Sequence, residues 1–127
     1  MNRPACWLDA KMNPKIAEGV RLFNTQKFFE AHEALEEVWL KSEGRQKIFL
    51  HGLIQIAAAF HHHTKGNLAG FLSLLGKGLS KLDGFGDSAE GIDLGALCLE
   101  LHRWRERHDG GPGARAAPHL AFPQIKY

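Results

Sequence analysis

The stretch FFEAHEALEEVW, Phe28 to Trp39, decides how this chain folds. Phe28, Leu35 and Trp39 recur at the spacing of one helical face, while Glu30 and Glu37 fall on the opposite, polar side. No period-two alternation runs through the segment, so it reads as an amphipathic helix. On that helix His32 and Glu36 sit one turn apart on the mostly apolar face, and Glu33 lies toward the flank. Upstream, Asn13-Pro14 is a capping residue followed by a proline suited to the first helical position. Ile16, Val20 and Phe23 then form a stripe of their own. At about 100° per residue that stripe lies well over 100° from the one made by Phe28, Leu35 and Trp39. One straight helix cannot aim both at one core. The sequence therefore predicts a turn at Asn24-Thr25-Gln26 between helices over residues 14–24 and 27–41.

Working outward, Gly44 stands where a left-handed cap would close the second helix. A third is expected over residues 46–63. Its segment IFLHGLIQIAAAF is apolar on most sides, which marks it as the central helix. Gly66-Asn67 can close that helix and cap the next within two residues. The fourth helix places Leu68, Phe71, Leu72, Leu75, Leu79 and Leu82 on one face. After the turn-rich DGFGDSAEG, a fifth over about residues 93–107 turns Leu94, Leu97, Cys98, Leu101 and Trp104 inward. Residues 108–127 read as a loop, HDGGPGARAAP, followed by a tail, HLAFPQIKY. No strand is expected. The predicted fold is all-α: a single-domain bundle of about five helices over residues 1–127, with short antiparallel connections and a motif-bearing core at 14–82.

Composition narrows the function classes. A chain of 127 residues can bury a core without disulfides, and 44% hydrophobic with 24% charged residues is ordinary for a globular protein. A formal charge of +2 gives no electrostatic argument for nucleic acid or an anionic membrane. Cys6 and Cys98 make neither a disulfide framework nor a CxxC metal knuckle. No signal peptide or membrane span is evident, so the expected location is the cytoplasm.

The short connection at Gly44 makes the second and third helices antiparallel neighbours, in which residues equidistant from the turn sit level. His32 is then level with Gln55, and Glu36 with His51. His32, Glu36 and His51 could ligate a divalent metal such as zinc, iron, manganese or nickel, with Glu33 as base toward a metal-bound water. HEALE, however, is HExxE, not the HExxH of zinc proteases. The alternative is a buried hydrogen-bonded network in which Gln55 and His51 satisfy His32 and Glu36. His62 shares the face of Gln55 but lies about 10 Å along the axis, within reach of a network and not of the same metal sphere. His61, His62 and His63 point about 100° apart and cannot chelate together. HRWRERH, residues 102–108, offers an RNA-binding reading, but Trp104 completes an apolar stripe and the arginines read as a solvated face.

LFNTQKFFEAHEALEEVW followed by HGLIQIAAAFHHHTKGNLAGFLSLL resembles the small bacterial and archaeal family known as domain of unknown function 309, over about residues 16–82. The resemblance implies an all-α fold and the family's label of predicted metal-dependent hydrolases. It places the motif on Phe29, Glu30, His32, Glu33, Glu36, Trp39, Gln55, His62, Gly66 and Asn67, and does not require His51. The functional expectation is metal-assisted hydrolysis of a small molecule at a His/Glu/Gln site between the second and third helices. The alternative is a non-catalytic protein-interaction or scaffold domain.

Overall fold

Asn13 and Pro14 start the first helix as their chemistry dictates: the Asn13 side chain accepts from the Lys15 N–H at 2.8 Å, and proline occupies a position that needs no donor. A computed structural model describes residues 13–109 and 121–127. Cys6 and most of the expected loop after His108 lie outside the described residues. Helix α1 is Pro14–Asn24, α2 Phe28–Leu40, α3 Gly44–Thr64, α4 Leu68–Leu82 and α5 Leu94–Asp109. The described part is therefore all-α apart from one short hairpin.

The turn after α1 reorients the chain as the two stripes require. Gln26 adopts a left-handed φ of 63°. Its N–H bonds to the Phe23 carbonyl at 3.0 Å, and that of Lys27 reaches the Leu22 carbonyl at 2.8 Å. This is the paired closure of a Schellman motif, made here without glycine. Phe28 and Leu35 then face the same core as Ile16, Val20 and Phe23. Gly19 lets the two helices meet closely, since a Cβ there would stand 2.7 Å from Leu35 Cγ.

Gly44 is left-handed, with φ +64°, but it opens α3 and does not cap α2. The Ser42 hydroxyl donates to the Val38 carbonyl at 2.7 Å and the Ser42 N–H to Trp39 at 3.1 Å. Those bonds satisfy the last carbonyls before the chain reaches the glycine. α3 lies between α2 and α4 and packs on both. Its Phe60 is an aromatic hub, with ring centroids of Phe28, Phe71 and Trp104 at 5.5, 5.2 and 5.1 Å. At Gly66-Asn67 the expected double cap forms: Gly66 takes φ +79°, the Asn67 N–H reaches the His62 carbonyl at 2.9 Å, and Asn67 Oδ1 accepts from Gly70 N–H at 3.0 Å. On α4, Phe71, Leu75, Leu79 and Leu82 are buried; Leu68, at the first position, is 47% exposed.

Two expectations need correction. The segment read as strandless contains a 3₁₀ turn, Asp83–Phe85, and a two-residue antiparallel pair, β1 (Ser88–Ala89) with β2 (Ile92–Asp93). Glu90 and Gly91, at φ 53° and 80°, make the two left-handed residues of a type I′ turn. α5 runs to Asp109, past the expected end near 107, after Asp93 caps it by accepting from Ala96 N–H at 3.0 Å. Residues 121–127, expected as a tail, are pinned to the bundle. Asn24 clamps Ile125 from both sides, accepting its N–H at 2.7 Å and donating to its carbonyl at 2.9 Å. Phe122 stacks on Trp104 at 5.4 Å, and Trp104 Nε1 donates to the Ala121 carbonyl.

Candidate functional site

The α2–α3 hairpin and one residue of α4 enclose a cleft of about 230 Å³. α2 contributes His32, Glu36 and Trp39 at i, i+4 and i+7; α3 contributes His51, Ile54, Gln55 and Ala58; α4 adds Leu74. The level pairing read from the sequence thus puts His32, Glu36, His51 and Gln55 on one cavity. Leu74 was not foreseen as part of it, because the leucine stripe of α4 says that it packs but not against which gap in α3.

The polar atoms in this cleft do not satisfy one another. His32 Nδ1 and Gln55 Oε1 are both buried, and among the described residues neither has a hydrogen-bond partner. The expected network, with Gln55 and His51 satisfying His32 and Glu36, is therefore not closed at those two atoms. His51 lies against Trp39, ring centroids 5.6 Å apart, and the Lys47 ammonium covers Trp39 at 4.6 Å. Burial holds the His51 pKa below the ordinary histidine value, and the positive charge of Lys81 adds to the shift. Neutral His51 is thus the form the fold favours. Phe29 is half exposed and stacks beside His32, centroids 6.2 Å apart, with His61 on its other side at 5.3 Å.

A metal of the kind implied by the family's label needs converging ligands. His32 Nδ1 and Gln55 Oε1 are competent donor atoms, but among the described residues no three His, Cys, Asp or Glu side chains are grouped to hold an ion. The set His32, Glu36 and His51 lines one cleft without forming a coordination sphere. Glu33, the expected base, is exposed and outside the cleft lining. The donor set does not fit a preformed catalytic metal centre, and no chemical step is derived through one.

His62 is also outside the lining. Its Nδ1 accepts from Asn67 Nδ2 at 3.1 Å, while Asn67 caps α4 and Gly66 supplies the left-handed turn. Those three motif residues hold the α3–α4 corner. Their neighbours diverge as helical geometry requires: His61 lies against Phe29, and His63 among Phe60, Phe71 and Trp104. Cys98, half-buried on α5, has its thiol pushed up to about 11, by burial first and then by the charge of Asp83. It stays protonated at neutral pH and is no nucleophile.

The fold and cleft define a small helical domain with a partly polar pocket between α2 and α3. Residues 16–74, from α1 through the cleft-bearing hairpin into α4, match the model of the family described as "Domain of unknown function (DUF309)". It is similar to an uncharacterized protein of Aquifex aeolicus (strain VF5), 34% identical over 88 residues, 68% of this chain and 26% of that protein. It is also similar to the uncharacterized protein YpuF of Bacillus subtilis (strain 168), 36% identical over 85 residues, 65% of this chain and 48% of that protein. The matched part thus spans less than half the length of these relatives. No helix among the described residues is long and apolar enough to cross a membrane.

Proposed function

We propose that the α2–α3 cleft is a binding site for a small molecule that donates hydrogen bonds, an amine or guanidine being the simplest class. One observation carries this reading: His32 Nδ1 and Gln55 Oε1 are buried and unpartnered among the described residues, and both residues line the same cavity. Leaving a buried polar atom unsatisfied costs about 1–3 kcal/mol, so two on one cavity favour an occupant that satisfies both. Gln55 Oε1 can only accept. His32 Nδ1 accepts when the ring proton sits on Nε2, and Glu36 supplies a third acceptor at the same wall. Ile54, Ala58 and Leu74 give the occupant an apolar side, and Trp39 gives it an aromatic one.

A small occupant binds weakly in absolute terms. At a ceiling of about 1.5 kcal/mol per heavy atom, a four-atom fragment reaches roughly 6 kcal/mol, which is tens of micromolar. Nuclear magnetic resonance titration at millimolar concentration is the suitable test. Methylguanidinium and ethanolamine are expected to shift the Trp39 indole and Gln55 amide resonances saturably. Acetone and dimethyl sulfoxide, which only accept, should not, and Gln55→Met should abolish the response. Equal response to donors and acceptors, or none to either donor, overturns the reading. Stoichiometric metal in untagged protein, lost in His32→Ala, would restore metal-dependent hydrolysis in its place. A silent cleft beside intact folding would leave the interaction-module alternative.

A further inference from the structure

At the other end of α3, away from the cleft, two histidines from different helices meet. His63 Nε2 and His108 Nε2 stand 3.4 Å apart. A tetrahedral ion with metal–nitrogen bonds of about 2.0–2.1 Å separates two imidazole ligands by roughly 3.3–3.4 Å. The second nitrogen of His108 is already committed: Nδ1 lies 3.0 Å from the Trp104 carbonyl, which can only accept. Nδ1 therefore carries the proton, and the Nε2 lone pair of neutral His108 points at His63. A histidine ligand commonly has its far nitrogen fixed in this way.

Both rings are held from the side. His108 stacks on Trp104 at 5.5 Å and 6°, while His63 meets Trp104 edge-on at 5.0 Å and Phe71 at 5.0 Å. Each histidine is the penultimate residue of its helix, since α3 ends at Thr64 and α5 at Asp109. Two carbonyl-rich, partially negative helix ends thus converge where a cation would sit. Lys65 and Arg107 adjoin the pair in sequence, so charge alone would not hold a hard ion such as magnesium or calcium. Ions with intrinsic affinity for imidazole are different.

We propose that His63 and His108 form a two-histidine site for a transition-metal ion of the zinc, nickel or copper class. The ion takes the place of the hydrogen bond between the two Nε2 atoms, with the His63 proton moving to its own Nδ1 so that both imidazoles ligate as neutral rings. Among the described residues no third His, Cys, Asp or Glu joins the pair. Neither histidine lines the α2–α3 cleft, so this site stands independently of the proposed small-molecule site. Its physical effect is to staple the last turn of α5 to the last turn of α3.

The test uses the full chain, untagged and stripped with chelator, titrated with zinc and separately with magnesium. Zinc is expected to bind one to one, raise the melting temperature and shift the His63 and His108 ring resonances, with magnesium silent. His63→Phe and His108→Phe keep the aromatic packing, and each should weaken zinc binding about tenfold or more. His32→Ala should leave it unchanged. Affinity should fall as the solution is acidified, because imidazole must be neutral to ligate. Zinc binding no tighter than about 1 mM overturns the proposal. So does binding that survives both phenylalanine variants or disappears in His32→Ala. Should a phenylalanine variant fail to fold by circular dichroism, the wild-type ring resonances decide alone: zinc-dependent shifts elsewhere, without His63 and His108, refute the site.

Discussion

Replacing Gln55 by methionine should stabilise the ligand-free protein. Methionine has the same unbranched length and fits a helix equally well, so the change removes the amide while leaving the shape of the cleft wall nearly intact. What disappears is a buried acceptor without a partner among the described residues. Its desolvation costs about 1–3 kcal/mol if the cleft is dry, and a water in the open cleft recovers part of that. The expected gain is about 1–2 kcal/mol. Unfolding entropy near 2.1 cal/mol/K per residue gives about 0.27 kcal/mol/K for 127 residues. Each kcal/mol then moves the melting temperature by about 4 °C, so the variant should melt roughly 4–8 °C higher. Calorimetry at pH 7.5, without added amines, measures it. The same variant should lose the response to methylguanidinium, a stability gained where function is given up. A fall of more than about 2 °C would refute the reasoning, because it would mean that Gln55 closes a satisfied structural network.

Gly78→Ala should destabilise despite the helix propensity of alanine: its Cβ would stand 2.6 Å from Ile56 Cδ1 and 2.9 Å from the Gly52 carbonyl. Overpacking of about 1–3 kcal/mol exceeds a propensity gain near 1, and a urea midpoint at or above wild type would contradict it. Asn24→Ala removes both bonds that clamp Ile125 and should cost about 1–2 kcal/mol, with faster amide exchange at Ile125 as the local readout. His51 has a native pKa below its unfolded value, so the unfolded chain binds the proton first. Its contribution is therefore fully present above about pH 6.5 and is lost as pH falls through the lower native value. His51→Leu should flatten the stability curve over about pH 7 to 5, and an unchanged slope would show that His51 is not the group responsible.

How much of this was legible in the sequence follows from the range of each interaction. Asn13-Pro14 and Gly66-Asn67 act on atoms within five residues, so their caps could be read from identity and order. The opposed stripes of α1 and α2 required a turn at residues 24–26, whatever packed above it. Gly44 was legible as a left-handed residue but not in its role, because the Ser42 hydroxyl closes α2 first. The hairpin was missed for want of length: two residues per strand cannot show an alternation, and glutamate at φ 53° gives no signal of its own. How residues 121–127 are held was not legible, because their partner Asn24 lies about a hundred positions upstream. At the site the limit is finer. Helical period and hairpin level bring His32, Glu36, His51 and Gln55 to one cleft. Whether two of their atoms come within hydrogen-bond reach depends on displacements well under the 1.5 Å rise of a single residue. The pattern therefore found the cleft, but the closed network it allowed is open at two atoms. The two unpartnered atoms that now carry the functional argument are visible only in three dimensions. For the same reason the motif residues His62, Gly66 and Asn67 belong to a corner of the fold: left-handed Gly66 turns the chain, the Asn67 amide donates to His62 Nδ1, and Asn67 Oδ1 caps α4, so these groups serve the corner and not the cleft.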